Sequence, residues 1–114
     1  MTPRLFLVPV LLFLGLTPAL AGPASSLLSR AHAAERQGNT QLALLLAQSA
    51  IVADPADPAT YIGLGDIYAQ AGDAEFARNS YEKALDIDPQ QPAALKAIAA
   101  LGKSEKPDTA SATP

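Results

Sequence analysis

The chain has no cysteine, no tryptophan and a single histidine in 114 residues. Without cysteine there is no disulfide, no thiol nucleophile, no lipid-modified cysteine and no thiolate-held zinc or iron–sulfur site. Aromatic residues are only 5% of the chain, which argues against a large aromatic-lined cofactor pocket. Positive charge is also scarce. Eight Lys and Arg stand against eleven Asp and Glu, for a net charge of −3, so the electrostatic footprint of a nucleic-acid binder is missing. What the chain does have is aliphatic mass. Hydrophobic residues reach 49% and charged ones 17%, a balance suited to a globular protein and not to a wholly disordered one. The length leaves room for one small domain.

The first segment, residues 1–21, reads as a secretory signal peptide and not as part of the fold. Arg4 and the amino terminus give a weakly positive start, residues 5–16 are an apolar run, and Ala19-Leu20-Ala21 forms a small-x-small site before Gly22. The run is short for a membrane span, which needs about 20 residues. Pro9, Gly15 and Pro18 suit a cleavable segment better than a permanent one. Cleavage would also remove Arg4 and leave the mature chain more acidic. The alternative is a retained anchor that tethers the domain without changing its fold. The expected location is therefore an exported one, periplasmic first, with secretion or membrane anchoring as the alternatives.

From Ala24 onward the pattern is helical and punctuated. Breaks fall at Gly38-Asn39, at Asp54-Pro55-Ala56-Asp57-Pro58, at Gly72-Asp73 and at Asp88-Pro89-Gln90-Gln91-Pro92. They delimit helices expected at 24–37, 40–53, 58–71, 74–87 and 92–102. Gly38 and Gly72 can adopt the left-handed conformation that ends a helix. Asn39, Asp57 and Asp73 can accept hydrogen bonds from the free amides of the next first turn. Pro58 and Pro92 suit that first turn, where a missing N–H costs nothing. No stretch alternates as a strand would. Residues 103–114, KSEKPDTASATP, are polar and are expected to be a disordered tail.

The breaks repeat. Displaced by 34 residues, Gly38 meets Gly72, Ala43 meets Ala77, Ala50 meets Ala84, Asp54 meets Asp88 and Pro55 meets Pro89. Asn39 meets Asp73, and Pro58 corresponds to Pro92. These matches fall on turn residues and on small residues where two helices must touch. A helix–turn–helix period of this length marks a solenoid repeat.

The chain resembles a tetratricopeptide-repeat protein. The unit 58–91 carries the motif: Tyr61, Leu64-Gly65, Tyr68, Gly72, Ala77, Tyr81, Ala84 and Pro89 stand at the family's spacings. Gly65 and Ala77 are small enough for the two helices to approach, Tyr61, Tyr68 and Tyr81 fill the space around them, and Pro89 stops the second helix. The unit 24–57 is a weaker match. Leu27, Gly38, Ala43, Ala50 and Pro55 fit, but Arg30 stands where the family has Leu, and Ala31, Ala34 and Ala47 depart from the usual residues. Looser packing is expected in its first helix. The segment 92–102, with Leu95, Ile98 and Leu101, resembles the single helix that caps the last repeat. The implied fold is all-α: antiparallel helical hairpins in a short solenoid of about two repeats plus a cap, spanning 22–102.

The resemblance also implies a concave groove, lined by the first helix of each unit, that receives a peptide or protein segment. The positions that would face it are Leu28, His32 and Glu35, then Ile62, Asp66 and Gln70, then Lys96. The cluster of Lys, Arg and Asn with which some relatives grip a C-terminal carboxylate is absent, since Leu28, His32, Gly63, Ala93 and Ala97 occupy those slots. The expected ligand is instead a segment with apolar anchors and one basic group.

A second surface is particular to this chain. Helix 40–53, TQLALLLAQSAIVA, carries no charge. Leu42, Ala43, Leu46 and Ala50 can face the core, which leaves Leu45 and Val52 on an outer stripe. Their counterparts one repeat later, Asn79 and Asp86, are polar. A helix apolar all round is normally covered, here by a homodimer contact, a partner protein or a nearby membrane.

Catalytic chemistry finds no footing in the sequence. His32 has no second metal-binding partner. Asp54/Asp57 and Asp86/Asp88 lie at helix ends, where such residues serve as caps and turn formers, and they lack the pattern of a calcium loop. There is no Gly-rich phosphate loop, and Gly63 and Gly65 fall inside a helix. Ser25, Ser26 and Ser29 lack a base and an orienting group. The expectation is a non-enzymatic interaction module without cofactor, metal or nucleic acid. It would be a soluble adaptor, scaffold or assembly factor or, alternatively, a membrane-tethered accessory subunit of an envelope complex.

Overall fold

In the computed structural model, which describes residues 22–111, all the regular structure is helical: α1 Pro23–Arg36, α2 Thr40–Ala53, α3 Pro58–Gln70, α4 Ala74–Ile87 and α5 Pro92–Ser111. The expected signal segment, 1–21, lies outside the described residues. The first four helices match the expected ranges to within a residue. The fifth does not. It continues past Gly102 through Ser111, where a disordered tail was expected. The reason is local. The described glycines with positive φ are Gly38 (81°) and Gly72 (87°), so Gly102 does not take the left-handed turn that would stop the helix.

The two tight turns are alike in atomic detail. Gly38 N–H donates to Glu35 O (2.9 Å) and Asn39 N–H to Ala34 O (2.9 Å). One repeat later, Gly72 N–H donates to Ala69 O (3.1 Å) and Asp73 N–H to Tyr68 O (2.9 Å). These paired bonds satisfy the last carbonyls of α1 and α3 and reverse the chain between the helices of each hairpin. The N-terminal ends differ. Asn39 Oδ1 accepts from Leu42 N–H (3.2 Å), and Asp57 Oδ1 accepts from Ala59 N–H (2.9 Å). Asp73, expected to cap α4, makes no such bond. The other carboxylates at the repeat junctions form turns: Asp54 Oδ1 accepts from Ala56 N–H (3.3 Å) and Asp88 Oδ1 from Gln90 N–H (3.1 Å).

The core is divided by repeat. Ala31 and Ala34 of α1 meet Ala43 and Ala47 of α2 and Ile67 of α3, with Leu44, Leu46 and Leu64 around them. Looser packing of α1 is therefore not found. Ala24, Ala31 and Ala34 are buried, and Arg30 is exposed to solvent. Side chains this small let two helices close directly on each other. The second cluster joins Ala77, Tyr81 and Ala84 of α4 to Ala94 of α5, with Tyr61, Tyr68, Ile98 and Leu101 packed against them. At the centre of this unit Gly65 admits the Tyr81 ring. A Cβ at Gly65 would lie 2.6 Å from Tyr81 Cε1 and 2.8 Å from its Cδ1.

On α2 the buried residues are Ala43, Ala47 and Ala50. Leu42, expected to face the core, is 42% exposed and joins Leu45 (60%) and Val52 (82%) on the outer stripe. Because the helix is apolar on every side, hydrophobicity alone does not choose the stripe that turns inward; the stripe with the small residues Ala43, Ala47 and Ala50 does.

Candidate functional site

The stacking places the first helices of three successive units side by side, and a concave cavity of about 480 Å³ opens along them. His32 and Glu35 come from α1, Asp66, Ala69 and Gln70 from α3, and Ala97, Ala100 and Leu101 from α5. Tyr81 reaches in from α4 and forms part of the lining. Glu35 follows His32 by three positions, Ala69 and Gln70 follow Asp66 by three and four, and Ala100 and Leu101 follow Ala97 by three and four, the spacings that put side chains on one face.

Tyr81 ties the cavity to the core. Its ring fills the space over Gly65, and its hydroxyl donates to Asp66 Oδ1 at 2.7 Å. A buried tyrosine needs such a partner for its polar end. Burial pushes the Tyr81 phenol well above the usual tyrosine range, and the hydrogen bond to Asp66 and the negative charges of Asp66 and Glu35 add to the effect. The phenol is thus held as a neutral donor. Glu35 contributes a second feature. Its Oε2 atom is buried and has no hydrogen-bond partner.

Of the seven groove positions expected from sequence, the structure brings four into this cavity: His32, Glu35, Asp66 and Gln70. The other three lie elsewhere. Leu28 packs over Gly63, its Cδ2 lying 2.6 Å from where a Cβ would stand. Ile62 is half-buried against the second core cluster. Lys96 is exposed and does not line the cavity, although its neighbour Ala97 does. Sequence reasoning assigned Tyr81 to packing alone and missed its place in the site. The available signal was a phenol on a buried helix face with Asp66 directly after Gly65.

A smaller cavity of about 210 Å³ lies between α3 and α4, lined by Tyr61, Leu64, Tyr68, Phe76, Asn79, Ser80 and Lys83. The rings of Tyr68 and Phe76 stack there with centroids 5.2 Å apart. Among the described residues no group of three or more His, Asp or Glu is placed to hold a metal, and no helix is long and apolar enough to cross a membrane.

Paired helices, left-handed glycine turns at a fixed period and a groove along the first helices define a helical-repeat protein of the interaction type. The match to known families is specific. The family model described as tetratricopeptide repeat covers residues 34–101, and the chain belongs to that family. The match begins near the end of α1, the helix in which Arg30 departs from the family pattern. No curated protein matches the chain. Tetratricopeptide repeats generally mediate protein–protein interaction and are typically non-enzymatic.

Proposed function

We propose that this protein is an exported, non-enzymatic adaptor or assembly factor that captures a segment of another protein in the cavity between α1, α3 and α5. The observation that carries the reading is the cavity itself, a concavity of about 480 Å³ with both polar and apolar walls. Such a volume suits several side chains of a bound segment. Export rests on the signal-peptide pattern of residues 1–21. The intact mass of the native protein tests it: a mass lacking residues 1–21 supports a soluble exported module, and a full-length mass favours the tethered accessory subunit.

The binding surface is tested by photo-crosslinking in the native cell. A photoreactive residue at Gln70, exposed and on the cavity wall, is expected to give one dominant adduct. The same residue at Val52 reports on the outer face. An adduct from Val52 with none from Gln70 would move the binding surface to α2.

That outer face supports a second reading. Leu42, Leu45 and Val52 lie on one exposed stripe of an uncharged helix, which suits contact with a second copy of the chain. Sedimentation of the native protein across a concentration series reads this directly. A dimer that Leu45→Glu or Val52→Glu disperses supports it, and a monomer throughout excludes it.

A further inference from the structure

Resting on the reading of the cavity as a segment-binding groove, we propose that its inner end receives one cationic side chain of the captured segment, an Arg guanidinium or Lys ammonium held between Glu35 and Asp66. Three observations lead there. First, Glu35 Oε2 is buried without a donor. A buried acceptor left unpaired is costly, and a donor arriving from a ligand removes that cost. Second, Tyr81 engages Asp66 through Oδ1 alone. A carboxylate has about four lone-pair sites, so Asp66 keeps accepting capacity on the cavity side while Tyr81 fixes its orientation. Third, none of the described residues lining the cavity is Lys or Arg, so its walls carry these two carboxylates without a basic side chain of that kind beside them.

The remaining walls fit the rest of such a side chain. Ala69, Ala97, Ala100 and Leu101 present an apolar surface on which the methylene stem of Arg or Lys can lie while its head reaches the carboxylates. His32 and Gln70 complete the polar rim, and Gln70 can accept from a guanidinium through its amide oxygen. The negative field that Asp66 and Glu35 exert on Tyr81 disfavours a phenolate there, and the same field attracts a cation. An acidic or carboxylate-terminated segment meets repulsion at this point.

The test is a selection of random twelve-residue peptides displayed on phage against the isolated chain, followed by fluorescence anisotropy with resynthesised peptides. The selected peptides are expected to share one Arg or Lys, and citrulline in place of that Arg, or norleucine in place of that Lys, should weaken binding about tenfold or more. Glu35→Gln and Asp66→Asn should each weaken the cationic peptide by a similar factor yet leave the neutral peptide unchanged, so the losses are not additive. Asp66→Asn retains an acceptor for Tyr81, and the peptide substitutions leave the protein's fold untouched. Peptides that are blocked by Ala100→Trp, and so bind in the cavity, but tolerate citrulline or norleucine would overturn the cation proposal alone. Failure to select any peptide, or selection only of peptides indifferent to Ala100→Trp, would sink the groove reading and this proposal with it.

Discussion

Tyr81 shows how one side chain serves fold and site together. Its ring occupies the space left by Gly65, and its hydroxyl orients Asp66 at 2.7 Å. Replacement by Phe keeps the ring and removes the donor, so Tyr81→Phe is expected to cost about 1 kcal/mol near neutral pH, read by urea denaturation. The two proteins should then converge as the pH rises. A phenol whose folded pKa is raised contributes stability that is fully present below the unfolded tyrosine value, about 10, and lost as pH climbs through the folded value. Burial, reinforced by Asp66 and Glu35, raises the Tyr81 phenol, so the wild type should lose stability above about pH 10 more steeply than Tyr81→Phe. The difference in tyrosinate absorbance between the two proteins should appear well on the alkaline side of pH 10. A parallel decline of both would show that Tyr81 carries no linked proton. The ring's packing role was legible from its spacing to Gly65 and Ala77. The bond to Asp66 was not, because it links residues 15 apart in sequence and needs two helices already in register.

At the scale of the element, each break owes its position to chemistry within a few residues, which is why four helices could be placed from sequence. Gly38 and Gly72 take positive φ, and Asn39 and Asp57 cap the helices that follow. Asn39→Ala should therefore cost about 1 kcal/mol. Asp73→Ala should cost much less, since Asp73 makes no side-chain cap bond. Thermal unfolding of both variants checks the contrast, and equal losses would contradict the cap geometry. The two glycines inside α3 form a second contrasting pair. At Gly65 an added methyl meets the Tyr81 ring, which is fixed over the turn, so Gly65→Ala is expected to destabilise by about 1–3 kcal/mol. At Gly63 it meets the far end of Leu28, which can swing aside, and the gain in helix propensity, about 1 kcal/mol, offsets the crowding. Gly63→Ala should thus be near neutral. Two features at this scale escaped the sequence. The uncharged α2 offered several nearly equivalent stripes, and Leu42, expected to face the core, lies on the exposed one. Residues 103–114 were expected to be a tail because they are polar, but Gly102 does not turn left-handed and α5 runs on through Ser111.

At the scale of the molecule, the repeat makes both the core and the groove. The first cluster joins the alanines of α1 and α2 to Ile67 of α3, and the second joins α4 to α5 around Tyr81. Neither hairpin encloses the cavity alone, since its walls come from α1, α3 and α5. The 34-residue period therefore made the existence of a concave site legible, and the phase of each helix selected which candidates would line it. His32, Glu35, Asp66 and Gln70 share the inward phase, whereas Leu28 and Ile62 are drawn into packing with their neighbours. Helix α5 is the element on which stability and binding should depend jointly. It supplies Ala94, Ala97, Ile98 and Leu101 to the second cluster, and Ala97, Ala100 and Leu101 to the cavity wall. A chain ending at Gln91 would leave the α4 face that holds Ala77, Tyr81 and Ala84 without its cover. A solenoid needs a terminal cap for solubility because each repeat buries its apolar face only against the next. The truncated chain is expected to melt at lower temperature, to bind a hydrophobic dye, and to lose segment capture by Gln70 photo-crosslinking at a temperature where the first hairpin's helical circular dichroism persists. Unchanged melting with capture lost would make α5 a binding wall only, and unchanged capture would remove it from the site.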